Sequence, residues 1–98
     1  MEGSIITLAE GSKMTAEFRK AHPNATKAVY YNADVYEDIL AQTGCEGIRI
    51  YNAINEDGDL TNVLVGVDKD GNDMTTGKVY DFGRRCPNSC PSSNSLNS

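Results

Sequence analysis

Ile48-Arg49-Ile50-Tyr51-Asn52-Ala53-Ile54, then Asn55-Glu56-Asp57-Gly58-Asp59, then Leu60-Thr61-Asn62-Val63-Leu64-Val65-Gly66-Val67: this stretch decides the fold. Two runs rich in β-branched residues flank an Asp-Gly dipeptide, the strongest short-range signal for a β-hairpin. With Asp57 and Gly58 as a two-residue turn, Ile54 faces Thr61, Asn52 faces Val63, Ile50 faces Val65 and Ile48 faces Val67. That register gathers three isoleucines and three valines on one face. Arg49, Tyr51, Ala53, Asn62, Leu64 and Gly66 take the other. A slip of one residue would exchange the valines for Leu60, Asn62, Leu64 and Gly66, because side chains alternate strictly along a strand.

Working outward, Asp70-Gly71 is a second turn signal, and Val79 to Phe82 reads as a third meander strand. On the N-terminal side, Thr7-Leu8-Ala9-Glu10 matches a capping box. It predicts a helix from Leu8 to Ala21, with Met14 and Phe18 turned to the core and Lys13 paired with Glu17 outside. His22 precedes Pro23, which stops that helix. Ala28-Val29-Tyr30-Tyr31 reads as a short buried strand. Asn32 is the next N-cap. Val35, Tyr36, Ile39 and Leu40 form an apolar stripe at helical spacing, and Gly44 ends the second helix.

The expected architecture is α+β: a small antiparallel β-meander built on the 48–54/60–67 hairpin, with two helices packed on one face. Residues 1–86 make a single domain. Residues 87–98 form a Ser/Asn/Pro-rich tail whose one large apolar residue is Leu96. Fixing such a tail costs about 1–2 kcal/mol per residue. Burying Leu96 returns at most about 2–3 kcal/mol. The tail therefore needs contacts outside itself, and the exposed sheet edge of a neighbouring subunit is the expected partner.

The totals bound the function classes. Ninety-eight residues, 39% of them hydrophobic and 23% charged, suit one small globular domain. Nine Lys and Arg against fourteen Asp and Glu leave a net charge of −5, and the basic residues are scattered. Nucleic acid is therefore a poor partner. No apolar run approaches the roughly 20 residues of a membrane span. Glu2, Glu10 and Glu17 occupy the region where a signal peptide would need an apolar core. The expected location is the cytoplasm, although specialised secretion systems leave no mark of this kind.

The pattern Gly44-Cys45-Glu46-Gly47-Ile48-Arg49-Ile50-Tyr51, Glu56-Asp57-Gly58, Val63-Leu64-Val65-Gly66-Val67-Asp68, Gly71-Asn72-Asp73-Met74 and Cys86-Pro87 resembles a group of short bacterial proteins. Members share a leading helix, the two strands, the G-N-D-M turn and a C-P-rich end. The resemblance spans roughly residues 7 to 91. It supports the hairpin fold and implies no activity.

Chemistry-bearing residues are few. Cys45, Cys86, Cys90 and His22 make a Cys₃His set, the minimum for a closed tetrahedral zinc site. The C-P-N-S-C spacing is not a zinc knuckle and His22 lies far away, so no metal site is assigned. The same spacing, with no helix after it, does not match a catalytic dithiol. A local or intersubunit disulfide stays open. Asn55 to Asp59 and Asp68 to Asp73 evoke calcium loops but lack the twelve-residue pattern, and hairpin turns explain their Asp, Asn and Gly. One His and no nucleophile elbow, zincin motif or phosphate loop leave no catalytic or cofactor-binding set. The sequence thus reads as a non-catalytic interaction or structural protein that self-associates through its sheet face and tail. Tyr51, Ala53, Leu64 and Leu96 are its contact residues. The alternative is a metal- or redox-responsive module using Cys45, Cys86, Cys90 and His22.

Overall fold

A computed structural model describes residues 2–98. The elements in order are α1 (Leu8–Ala21), β1 (Ala28–Tyr30), α2 (Ala33–Leu40), β2 (Cys45–Ile54), β3 (Leu60–Asp68), β4 (Val79–Tyr80) and β5 (Arg84–Cys86). Strands β2, β3 and β4 form an antiparallel meander, and β1 pairs with β5 in a separate two-stranded ribbon. The fold is α+β, built on the hairpin. The third meander strand is present but shorter than expected, and β5 has no counterpart in the sequence reading.

The hairpin is offset by one residue from the expected register. Ile54 lies opposite Leu60, Ile50 opposite Leu64, Arg49 opposite Val65 and Ile48 opposite Gly66. The turn explains it. The Asn55 N–H donates to the Asp59 carbonyl at 2.9 Å and the Gly58 N–H to the Asn55 carbonyl at 3.0 Å. Three residues, Glu56, Asp57 and Gly58, therefore sit inside the loop, with Gly58 at φ +83°. This is the three-residue hairpin loop, a type I turn followed by a left-handed residue, in place of the two-residue loop assumed from Asp-Gly. Asn55 selects it: its Oδ1 accepts from the N–H groups of Asp57 and Asp59, both at 3.0 Å. The next turn repeats the design. Asp68 Oδ1 accepts from the Asp70 and Asn72 N–H groups at 2.9 and 3.0 Å, and Gly71 takes φ +81°.

One residue of offset moves Leu64 from the outer face to the centre of the core. Leu64 and Ile39 are both 0% exposed, and Tyr31 is buried beside them. Val29, Val35, Cys45, Ile48 and Tyr80 pack around this trio. Gly66 lets the side chains of Gln42, Cys45 and Met74 approach β3. A Cβ there would stand 2.9 Å from Cys45 Sγ and 3.2 Å from Met74 Sδ. The valines share the other face with Arg49, Tyr51 and Ala53, since cross-strand partners point the same way.

Among the described residues, α2 is the helix that buries a residue against the sheet. Ile39 is its buried residue, and Lys78 Nζ donates to Asp38 Oδ1 at 2.6 Å while the Tyr80 hydroxyl donates to Asp38 Oδ2. Gln42, just beyond the helix, accepts the Lys78 backbone N–H at 2.8 Å. Helix α1 starts as expected, with the Thr7–Glu10 capping box complete, yet it buries no residue. Met14 and Phe18 are exposed rather than in the core. Among the described residues the ion pairs are Arg49–Asp73 and Lys78–Asp38, so Lys13 and Glu17 do not close the expected bridge.

The observed register has a direct test. Leu64→Ala should destabilise the domain by about 2–5 kcal/mol, the usual range for emptying a core leucine site. Ile50→Ala should cost less than about 1 kcal/mol, because Ile50 is 57% exposed. Urea unfolding of the two variants checks the order, and a larger loss at Ile50 would return the hairpin to the two-residue turn.

Candidate interaction surface

Strand β3 is the middle strand, so β2 has one side unpaired over its whole length. Which backbone groups point outward follows from the hydrogen bonds already named. Asn55 bonds across to Asp59, and Met74 N–H donates to Gly66 O at 2.8 Å on the far side of β3. In an antiparallel ladder, bonded and non-bonded pairs alternate. Arg49, Tyr51 and Ala53 therefore bond to β3. Ile48, Ile50, Asn52 and Ile54 present their N–H and C=O groups on the open edge.

The side chains along this edge are apolar for an exposed strand. Ile50 and Ile54 are 57% and 69% exposed, and Tyr51 is also open to solvent; exposed Val79 lies on β4, across β3 from this edge. Helix α2 reaches Ile48 and Leu64 but leaves Ile50 and Ile54 uncovered. The valine face carries no helix. A polar clamp crosses it instead: Arg49 Nη1 bonds Asp73 Oδ1, both guanidinium amino groups donate to Gly71 O at 3.3 Å, and the Tyr51 hydroxyl donates to Asp73 Oδ2. The Tyr51 hydrogen bond holds the Asp73 carboxyl below its ordinary range, with Arg49 adding to the effect. Asp73 in turn raises Tyr51 and Arg49 above theirs. The clamp fixes the second Asx turn against β2.

At the opposite end of the sheet, Tyr31 ties the ribbon to the meander. Its hydroxyl donates to Asn62 O at 2.9 Å and to Asp81 Oδ1 at 3.3 Å, and Thr61 Oγ1 donates to the same carboxylate oxygen at 2.7 Å. Burial, followed by the Asp81 charge, pushes the Tyr31 phenol up to about 12. These groups are already bonded to one another, and the cluster is structural.

The sequence-derived contact residues separate. Tyr51 and Ala53, expected on the face opposite the valines, share a face with them, because the offset pairs Tyr51 with Val63 and Arg49 with Val65. Leu64 is not a surface residue: the turn offset makes it core. Leu96 rests on α1 of its own chain, 3.7 Å from where a Cβ on Gly11 would stand. Ser12 Oγ donates to Ser95 Oγ at 2.7 Å, Arg19 Nη1 to Leu96 O at 2.5 Å and Lys27 Nζ to Asn97 O at 2.9 Å. The tail also turns on itself, with Asn94 Oδ1 accepting the Leu96 N–H at 2.8 Å and Asn97 Oδ1 the Asn94 N–H at 2.9 Å. The Asn and Ser residues of the tail here supply turn bonds that hold its backbone.

Cys86 and Cys90 form a local disulfide, and Cys45 is free at the start of β2. His22 stacks on Phe18 at 4.9 Å and lines a groove of about 440 Å³ beside Leu60 and Thr61. Among the described residues, no three His, Cys, Asp or Glu side chains gather to hold a metal ion. Among the described residues, no helix is long and apolar enough to cross a membrane. Sequence reasoning missed Ile50, Ile54 and Val79 as surface residues, and it missed the Asp73 clamp. The repeated Asx-x-Asp-Gly-Asx turn was the signal for a three-residue loop.

No family model, no curated protein and no solved structure matches this chain.

Tyr31 gives a pH test. A folded-state value of about 12 lies above the ordinary tyrosine value of about 10, so the neutral phenol is the stabilising form. Its contribution is complete below about pH 10 and is lost as pH rises through about 12. Tyr31→Phe should cost about 1–2 kcal/mol at neutral pH by leaving Asn62 O and Asp81 short of a donor. The same variant should lack the last phenolate to form in an ultraviolet titration. An unchanged titration would remove Tyr31 from this role.

Proposed function

We propose that the chain is a small non-catalytic interaction protein that self-associates through its sheet. The observation that carries this reading is area. A folded monomer of 10.6 kDa exposes about 5,500 Å² by the usual scaling with mass. This chain exposes 7369 Å², roughly 1,900 Å² more than that scaling gives. A stable interface takes about 800 Å² from each partner, so the surplus suffices for one. The radius of gyration points the same way: 14.9 Å, against roughly 12.5 Å expected for this length. Exposed isoleucines beside an unpaired strand are the kind of surface that proteins cover.

The tail enters this reading through α1. Because Leu96 and its neighbours lie on their own helix, the tail leaves the sheet edge free and masks part of the apolar side of α1 near Gly11 and Thr15. A second reading, the redox-responsive module, is favoured by the Cys86–Cys90 bond, which joins the end of β5 to the start of the tail. Reduction would act on the position of the tail, with Cys45 and His22 outside the site. Disulfides persist in oxidising compartments and are rare in a reducing cytosol, so the bond weighs against the cytoplasmic expectation.

Sedimentation over a range of concentrations tests the main reading. The full chain should move from monomer to dimer, and more readily as salt screens the −5 charge on each copy. Deleting Ser92 to Ser98 should leave that equilibrium in place. A monomer at every concentration ends the self-association reading. A dimer that dissociates only when reductant is added favours the redox module.

A further inference from the structure

We propose that the open edge of β2 is the docking site for β2 of a second copy of this chain. The two strands run antiparallel about a two-fold axis, with Ile50 opposite the partner's Ile50. The proposal deepens the self-association reading and rests on it.

Parity restricts the geometry first. Only Ile48, Ile50, Asn52 and Ile54 have outward-pointing N–H and C=O groups. A ladder between two such edges must set even-numbered residues opposite even-numbered residues. The strand spans Cys45–Ile54, so two pairings come close to full overlap: one with its axis through Arg49 and one with its axis through Ile50. The first places Arg49 directly beside the partner's Arg49, and like charges opposite each other are destabilising. The second places Arg49 opposite Tyr51 of the partner subunit, an arrangement that lets the guanidinium pack on an aromatic face. It also joins the exposed Ile50 side chains and brings Ile48 opposite the partner's Asn52. Charge and parity together select Ile50.

The edge lacks the usual defences. It has no proline and no lysine, and its one irregularity, between Cys45 and Gly47, lies at the far end from the hairpin turn. Pairing would join two three-stranded sheets into one of six strands and cover Ile50 from both copies. In a two-fold arrangement the same patch serves both partners and the assembly closes at two.

Proline scanning tests it. Ile50→Pro removes an N–H that points to solvent in the monomer, a position where edge strands accept proline. It should leave the circular dichroism of the monomer unchanged and raise the dimer dissociation constant by about tenfold or more, since both bonds across the axis go. Arg49→Pro removes a bond to β3 and should unfold the hairpin. In a Cys45→Ser background, Ile50→Cys should cross-link to its counterpart on oxidation, because paired Cα atoms about 5.5 Å apart suit a disulfide. Ile48→Cys and Asn52→Cys should not. If Ile50→Pro dimerises as well as wild type, or Ile48→Cys cross-links in place of Ile50→Cys, the edge pairing is overturned while self-association stands. A wild-type chain that stays monomeric overturns both. Should Ile50→Pro fail to fold, amide exchange in the wild type decides: Ile48, Ile50 and Asn52 must gain protection as concentration rises, and unchanged exchange at those amides rejects the proposal.

Discussion

Asn55 Oδ1 accepting two backbone N–H groups is the contact on which the rest of the structure depends. It commits the loop to three residues and sends Gly58 into the left-handed region, where a residue with a Cβ pays about 1–2 kcal/mol. The loop length then sets which residue of β3 meets which residue of β2. Nothing in the strands needs to change for Leu64 to face either way. Once the turn is chosen, Leu64 meets Ile39, Tyr31 meets the end of β3, and the valines line up with Arg49 and Tyr51. Asp68 makes the same bonds one turn later and returns the chain so that Asp73 can clamp Arg49.

A core of this kind is narrow. It is centred on Leu64, Ile39 and Tyr31, with one helix of eight residues laid across it. Helix α1 is longer and better capped, yet it contributes nothing buried. Its stability as a helix comes from the capping box and the tail laid along it. The two helices therefore do different work. One closes the core, while the other carries the C-terminal segment and leaves one edge of the sheet open.

What the sequence made legible follows from how local each signal is. The Thr7–Glu10 box needs four residues to be read, and it was read correctly. Asp-Gly marked both turns, but it fits a two-residue and a three-residue loop alike, and the side chain that discriminates is Asn55, two positions earlier. Reading that Asn as an acceptor for the loop N–H groups would have placed Leu64 in the core. The ribbon of β1 and β5 joins segments more than fifty residues apart. Nothing in Arg84-Arg85-Cys86 resembles a strand alone, and its partner supplies the pattern. The contacts of the tail with α1 were illegible for a related reason: composition counts Asn and Ser as polar, whereas Asn94 and Asn97 act by geometry.

The disulfide and the open edge bear on each other. Cys86 is buried at the end of the ribbon, and the Lys27 N–H donates to its carbonyl at 2.7 Å. Lys27 also holds Asn97 through its ammonium group. The bond to Cys90 therefore restrains the chain where the ribbon hands over to the tail, and the tail ends on the same lysine. The ribbon meets the meander through Tyr31, Thr61 and Asp81, at the β3 side and away from the free edge of β2. The disulfide thus restrains the segment that leads into the tail, whereas the free edge of β2 belongs to the meander.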